Sequence, residues 1–137
     1  AATLCERITD ANKIFDPNVV KVVVDERGLA LYFSRAPIPW DRNLFGQSPA
    51  SADNDAAYFR HLGIYAYRAG YLRTYATLAP SPLEHIEKLE QLRILYHGGR
   101  IHVAEAMESA GPGVDTLKDL EHIRQLIGSG DRPTGAG

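Results

Sequence analysis

The sequence is short of cysteine: Cys5 is alone among 137 residues, so no internal disulfide can form. It has no basic excess either, with 15 lysines and arginines against 17 acids and a net charge of -2, and binding of DNA or RNA is not expected. No apolar run is long enough to cross a bilayer and no leader pattern is present, which points away from membranes and toward the cytoplasm. There is no Gly-rich phosphate loop of the Walker or dinucleotide type, no HExxH and no paired CxxC, so nothing here would cradle a nucleoside triphosphate.

What is present suits one ordinary globular domain with 45% hydrophobic residues, enough chain to bury a real core. The sequence opens at Ala1 without an initiator methionine and closes on Gly128-Ser-Gly-Asp-Arg-Pro-Thr-Gly-Ala-Gly137, read as a flexible tail, so processing at both ends is expected. The first residues to Asp16 lack periodicity and read as mostly extended, with a helical turn within Thr9–Lys13. Val19–Asp25 and Leu29–Ser34 are β-branched, apolar and aromatic, and Asp25-Glu-Arg-Gly28 between them puts glycine where a positive φ is needed, which predicts a hairpin. Asn43–Ala57 is polar and reads as a surface loop.

Phe59–Arg68 reads as a strand whose alternation puts His61, Gly63, Tyr65 and Tyr67 on one side. His61 and Tyr65, two strand repeats apart, would stand roughly 13 Å from each other and touch different parts of one ligand. Each could equally be a partly buried aromatic satisfied by backbone. Ala69–Leu78 reads as a short helix and Arg100–Ala106 as another strand. Gly111-Pro-Gly113 turns the chain into Thr116, the cap of a last helix, Leu117–Ile127. Asp115, just ahead of that cap, could satisfy helix amides or hold a divalent cation.

The most explicit stretch is Ser81–Arg93. Ser81 is an N-cap, Pro82 stands at the first helical position and Glu84 completes a capping box, with Gly98 as the stop. One continuous helix would carry Leu83, Ile86, Leu89, Leu92 and Tyr96 on a buried arc that also contains Glu90 and Arg93. That predicts either a Glu90–Arg93 ion pair against the core or a Glu90 carboxylate aimed from a rigid helix into a polar cleft.

Strands and helices alternate in a three-layer α/β pattern with one hairpin inserted. Tyr32-Phe-Ser-Arg-Ala-Pro-Ile-Pro-Trp-Asp-Arg42, Arg60-His-Leu-Gly-Ile-Tyr-Ala-Tyr-Arg68, Pro82–Arg93 and Gly113-Val-Asp-Thr116 resemble, in this order, the 3-deoxy-manno-octulosonate (Kdo) cytidylyltransferases, the CMP-Kdo synthetases. The resemblance runs from about Ala2 to Ile127 and covers the carboxy-terminal half of those enzymes, leaving residues 128–137 as the tail.

The resemblance implies a Rossmann-like nucleotidyltransferase fold. It implies a reaction in which the anomeric hydroxyl of Kdo attacks the α-phosphate of CTP, giving CMP-Kdo and pyrophosphate for lipopolysaccharide synthesis. Carried onto matching positions, Asp115 is a catalytic Mg2+ ligand, while Arg35, Arg42, His61, Tyr65, Glu90 and Gln91 line the sugar-acid pocket. Arginine can grip a carboxylate bidentately, and Glu90 and Gln91 can read sugar hydroxyls. The family pairs its subunits through this half, so a homodimer is expected, with Val19–Ser34 as the most exposed edge. The phosphate-binding groups that orient CTP belong to the family's amino-terminal half, so the chain alone is expected not to turn over. The alternative is a stand-alone, non-catalytic module that dimerises or binds sugar acids.

Overall fold

A computed structural model describes residues 1–42, 58–108 and 117–128. The chain divides into a unit over Ala1–Glu105 and a second over Ala106–Gly137. In the second, Leu117–Gly128 is helical, one residue beyond the expected Leu117–Ile127, with Gly128 inside the helix; its expected cap residue Thr116 lies outside the described residues.

The first unit is built on β1 (Ala2–Arg7), β2 (Lys21–Val24), β3 (Ala30–Ser34), β4 (Phe59–Ala66) and β5 (His102–Glu105), in the spatial order β3-β2-β4-β1-β5. Only β1 and β5 run parallel; the β1–β4, β2–β4 and β2–β3 pairs are antiparallel. The α/β expectation holds as a mixed sheet with helices. The hairpin is the β2–β3 pair, and Gly28 adopts the expected positive φ, 73°. The apolar exposure expected of Val19–Ser34 is confined to Leu31, because Val22, Ala30 and Phe33 are buried inward.

The two outer strands also meet. Ala30 N–H donates to Ile101 O and Val103 N–H to Gly28 O, both at 2.8 Å, and Leu29 bridges His102. A Cβ on Gly28 would come within 3.3 Å of Val103 O, so glycine serves both the turn and this close approach.

The core joins Cys5, Val22, Phe33 and Val103 of the sheet to Leu89, Leu92 and Ile94. A smaller cluster of Ile8, Ile14 and Tyr58 lies beside α1 (Asn12–Phe15). Lys21 is fully buried, yet its ammonium donates to the carbonyls of Asp16, Val19 and Arg35, which satisfies all three N–H groups and ties the approach to β2 to the end of β3.

The single helix expected from Ser81 is in fact two. Ser81 caps α3 (Pro82–Glu87) with the full capping box, then Lys88 turns into the left-handed region at φ 55°, and α4 begins at Leu92 and runs to Tyr96. In a continuous helix the Glu87 carbonyl would accept from residue 91, but Arg35 Nε takes it at 2.8 Å, and Leu89 N–H reaches back to Glu84 O. The break changes the helical phase. Leu89, Leu92 and Ile94 are buried, whereas Ile86 is 78% and Tyr96 54% exposed, so the arc drawn for one helix does not form.

Gly99 follows α4 where an added Cβ would lie 2.6 Å from Tyr71 Oη and 2.9 Å from Ile94 O. Gly99→Ala is therefore expected to cost about 2 kcal/mol through displacement of backbone and core. Urea unfolding checks this, and an unchanged midpoint would contradict it.

Candidate functional site

Side chains from three parts of the first unit lie close together: Thr3 of β1, His61 and Tyr65 of β4 with Tyr67 just beyond it, and Tyr75 of α2 (Ala69–Thr77), whose hydroxyl reaches Glu90 O in the Leu89–Gln91 turn. The rings of His61 and Tyr65 are 5.3 Å apart, and Tyr65 stacks on Tyr67 at 5.6 Å. The expected separation of His61 and Tyr65 is thus corrected to ring contact. The reason is a register break: Leu4 pairs with Leu62 while Thr3 pairs with Tyr65, so β4 takes three steps where β1 takes one.

Thr3 Oγ1 lies 2.7 Å from Ile64 O, 3.1 Å from Leu62 O and 2.9 Å from His61 Nε2. Its one proton goes to a carbonyl, so His61 Nε2 must carry the hydrogen that Thr3 accepts. Burial keeps the imidazole neutral, which leaves Nδ1 as an acceptor. Burial pushes its pKa down to about 4, and Phe33 meets its ring edge-on at 4.9 Å. Burial also raises the Tyr65 phenol, an effect added to by Tyr67, Tyr75 and Glu90 and partly offset by Thr3. Thr3 is already engaged with His61 and two carbonyls, and Tyr65 Oη makes no hydrogen bond of normal geometry although it is buried.

Gln91 is also buried and its Nε2 has no partner. Buried polar atoms are normally satisfied, so Tyr65 Oη and Gln91 Nε2 are places where a polar ligand would recover a hydrogen bond. Glu90 is exposed and lies in the turn, not on a helix. It does not pair with Arg93, which grips Glu84 instead through Nε at 2.8 Å and through Nη2. The break at Lys88 swings Glu90 away from the position an unbroken helix would give it. The Arg93 bonds, outweighing burial and helped by Ser81 N–H, hold the Glu84 pKa down at about 2.

Arg35 is half-buried, with Nε on Glu87 O and Nη1 on Pro17 O at 2.9 Å. Glu87 returns the contact by accepting from Ser34 Oγ and Arg35 N–H. Two of the five guanidinium donors are thus spent within the protein. Arg42 is exposed. Asp115 lies outside the described residues, and among those described no group of three or more His, Cys, Asp or Glu could hold a metal. Thr3 escapes a reading of the sequence because its partners lie 58 to 61 residues away, and the Glu84–Arg93 pair, nine residues apart, because it depends on the break at Lys88; the capping box marked Glu84 only as a cap.

A family model described as cytidylyltransferase matches residues 1–104. The chain is 57% identical over 129 residues to a 3-deoxy-manno-octulosonate cytidylyltransferase of Idiomarina loihiensis, covering 94% of the chain and 51% of that protein. It is likewise 57% identical over 132 residues to the enzyme of the same name from Nitrosococcus oceani, covering 96% and 51%. A solved structure of CMP:2-keto-3-deoxy-manno-octonic acid synthetase complexed with CTP matches with a TM-score of 0.78 at 44% identity, covering 94% of this chain and 49% of that one. The chain spans about half the length of the proteins it matches.

The buried imidazole sets a pH dependence. Below pH 6.5 the unfolded chain takes up a proton that folded His61 refuses until about pH 4, so stability falls across this window as pH drops, by up to roughly 3 kcal/mol. Melting curves between pH 7 and pH 4 check it. His61→Gln should flatten this window, and an equally steep fall in the variant would contradict the assignment.

Proposed function

The chain belongs to the cytidylyltransferase family, and from that premise we propose that it supplies the sugar-acid side of an enzyme transferring CMP from CTP to Kdo. The products are CMP-Kdo and pyrophosphate, for lipopolysaccharide synthesis in the cytoplasm by a homodimer. The observation that carries this reading is the pair of buried polar atoms without hydrogen-bond partners, Tyr65 Oη and Gln91 Nε2, together with a neutral His61 in ring contact with Tyr65. Together they offer two donors and an acceptor, the complement of a polyhydroxylated ligand.

In this reading His61 Nδ1 accepts from a sugar hydroxyl, Tyr65 and Gln91 donate, and the exposed carboxylate of Glu90 accepts from a second hydroxyl. The uncommitted N–H groups of Arg35, with Arg42, bind the sugar carboxylate. The protein's contribution is chiefly positioning: the ligand is held so that its anomeric hydroxyl faces the α-phosphate of CTP. Mg2+ belongs to the proposal with Asp115 as a ligand; bound there, it would neutralise phosphate charge. The described residues provide no further donor cluster for it. No helix among the described residues is long and apolar enough to cross a membrane.

Glu90→Gln in the enzyme that carries these residues tests the site. Glu90 is exposed and outside the Arg93 ion pair, so its loss should leave melting nearly unchanged while raising KM for Kdo roughly tenfold and KM for CTP less than about twofold. Unchanged Kdo kinetics would remove Glu90 from the site. Binding of Kdo without turnover would favour a non-catalytic sugar-acid module.

A further inference from the structure

Four residues, Ser81, Glu84, Arg93 and Tyr75, frame the turn that carries Glu90 and Gln91. Glu84 accepts from Ser81 N–H at 3.0 Å and from Arg93 at both carboxylate oxygens, so one buried carboxylate joins the start of α3 to α4 across the break between them. The Arg93 guanidinium lies 5.1 Å from the ring centroid of Tyr75 on α2, and the Tyr75 hydroxyl donates to Glu90 O at 3.4 Å. The turn is thereby held on one side by the Glu84–Arg93 fork and on the other by Tyr75, with Arg93 touching both. Both side chains of the turn are free of the frame: Glu90 is exposed, and Gln91 Nε2 has no partner.

We propose that Arg93 is a positioning residue for the sugar-acid site: without touching the ligand, it fixes the Leu89–Gln91 turn so that Glu90 and Gln91 are presented together. This rests on the functional reading above. The fork geometry matters because two parallel bonds fix the orientation of α4, where one ammonium contact would fix only a distance. An arginine serving general stability would, when lost, lower melting temperature and impair both substrates. A positioning arginine separates them, because the ligand side chains on its turn serve only one.

The test uses Arg93→Met, Arg93→Lys and Glu84→Gln in the enzyme that carries these residues, with hydrogen exchange at the Leu89 and Leu92 amides as a second readout. Arg93→Met should raise KM for Kdo about tenfold, with kcat and KM for CTP within about twofold. Arg93→Lys keeps the charge and the stem over Tyr75, and should rescue only part of the loss. Glu84→Gln with Arg93→Met should cost little more than Arg93→Met alone, because both break one fork. Exchange at the two amides should quicken in all three variants. Unchanged KM for Kdo with quickened exchange would overturn positioning while leaving the functional reading intact. So would a matched loss for both substrates in Arg93→Lys, the variant that best preserves folding. Failure of the unaltered enzyme to form CMP-Kdo from CTP and Kdo would overturn the functional reading and this inference with it.

Discussion

The carboxylate of Glu84 is buried, and the arrangement of α3 and α4 depends on how it is satisfied. It is at once the capping-box partner of Ser81 and the acceptor of the Arg93 fork. A buried carboxylate is tolerated only when its oxygens are matched by donors, and these donors come from both sides of the break at Lys88. Two short helices are thereby held at one angle. That angle places Leu89, Leu92 and Ile94 against the sheet and leaves Glu90 facing outward.

The sheet makes the other half of the site by an irregularity of its own. The register break opposite Thr3 shortens β4 along its pairing, so that His61 and Tyr65 touch and both fall under Thr3. A regular strand would have spread them. The same Thr3 hydroxyl selects the neutral tautomer of His61, so one buried side chain determines both the packing of the cluster and what it can accept from a ligand.

Local signals were readable in the sequence where the physics is local. Gly28 announced its turn, Ser81-Pro-Leu-Glu84 its cap, and the β-branched and aromatic runs their strands, all within a few residues. Positions fixed by distant partners were not readable. Arg35 captures the Glu87 carbonyl from 52 residues away, which no helical period reveals, and the single helix and its apolar arc failed there. Thr3 and His61 are 58 residues apart, and their meeting depends on an irregularity that strict alternation cannot anticipate. The resemblance to the Kdo enzymes grouped His61, Tyr65, Glu90 and Gln91 by role; the structure brings His61 and Tyr65 into ring contact and ties the backbone of Glu90 to Tyr75 of α2. Asp115 falls outside the described residues.

The central claim is that the His61–Tyr65 cluster and the Gln91 turn together receive a sugar acid. The most direct measurement is a titration of Kdo into the protein followed by NMR, reading the His61 ring, the Gln91 side-chain amide and the Tyr65 ring. The account predicts that all three move together along one saturable curve, with His61 remaining neutral at pH 7. Movement of none of them at saturating ligand, or saturable shifts confined to residues elsewhere, would contradict it.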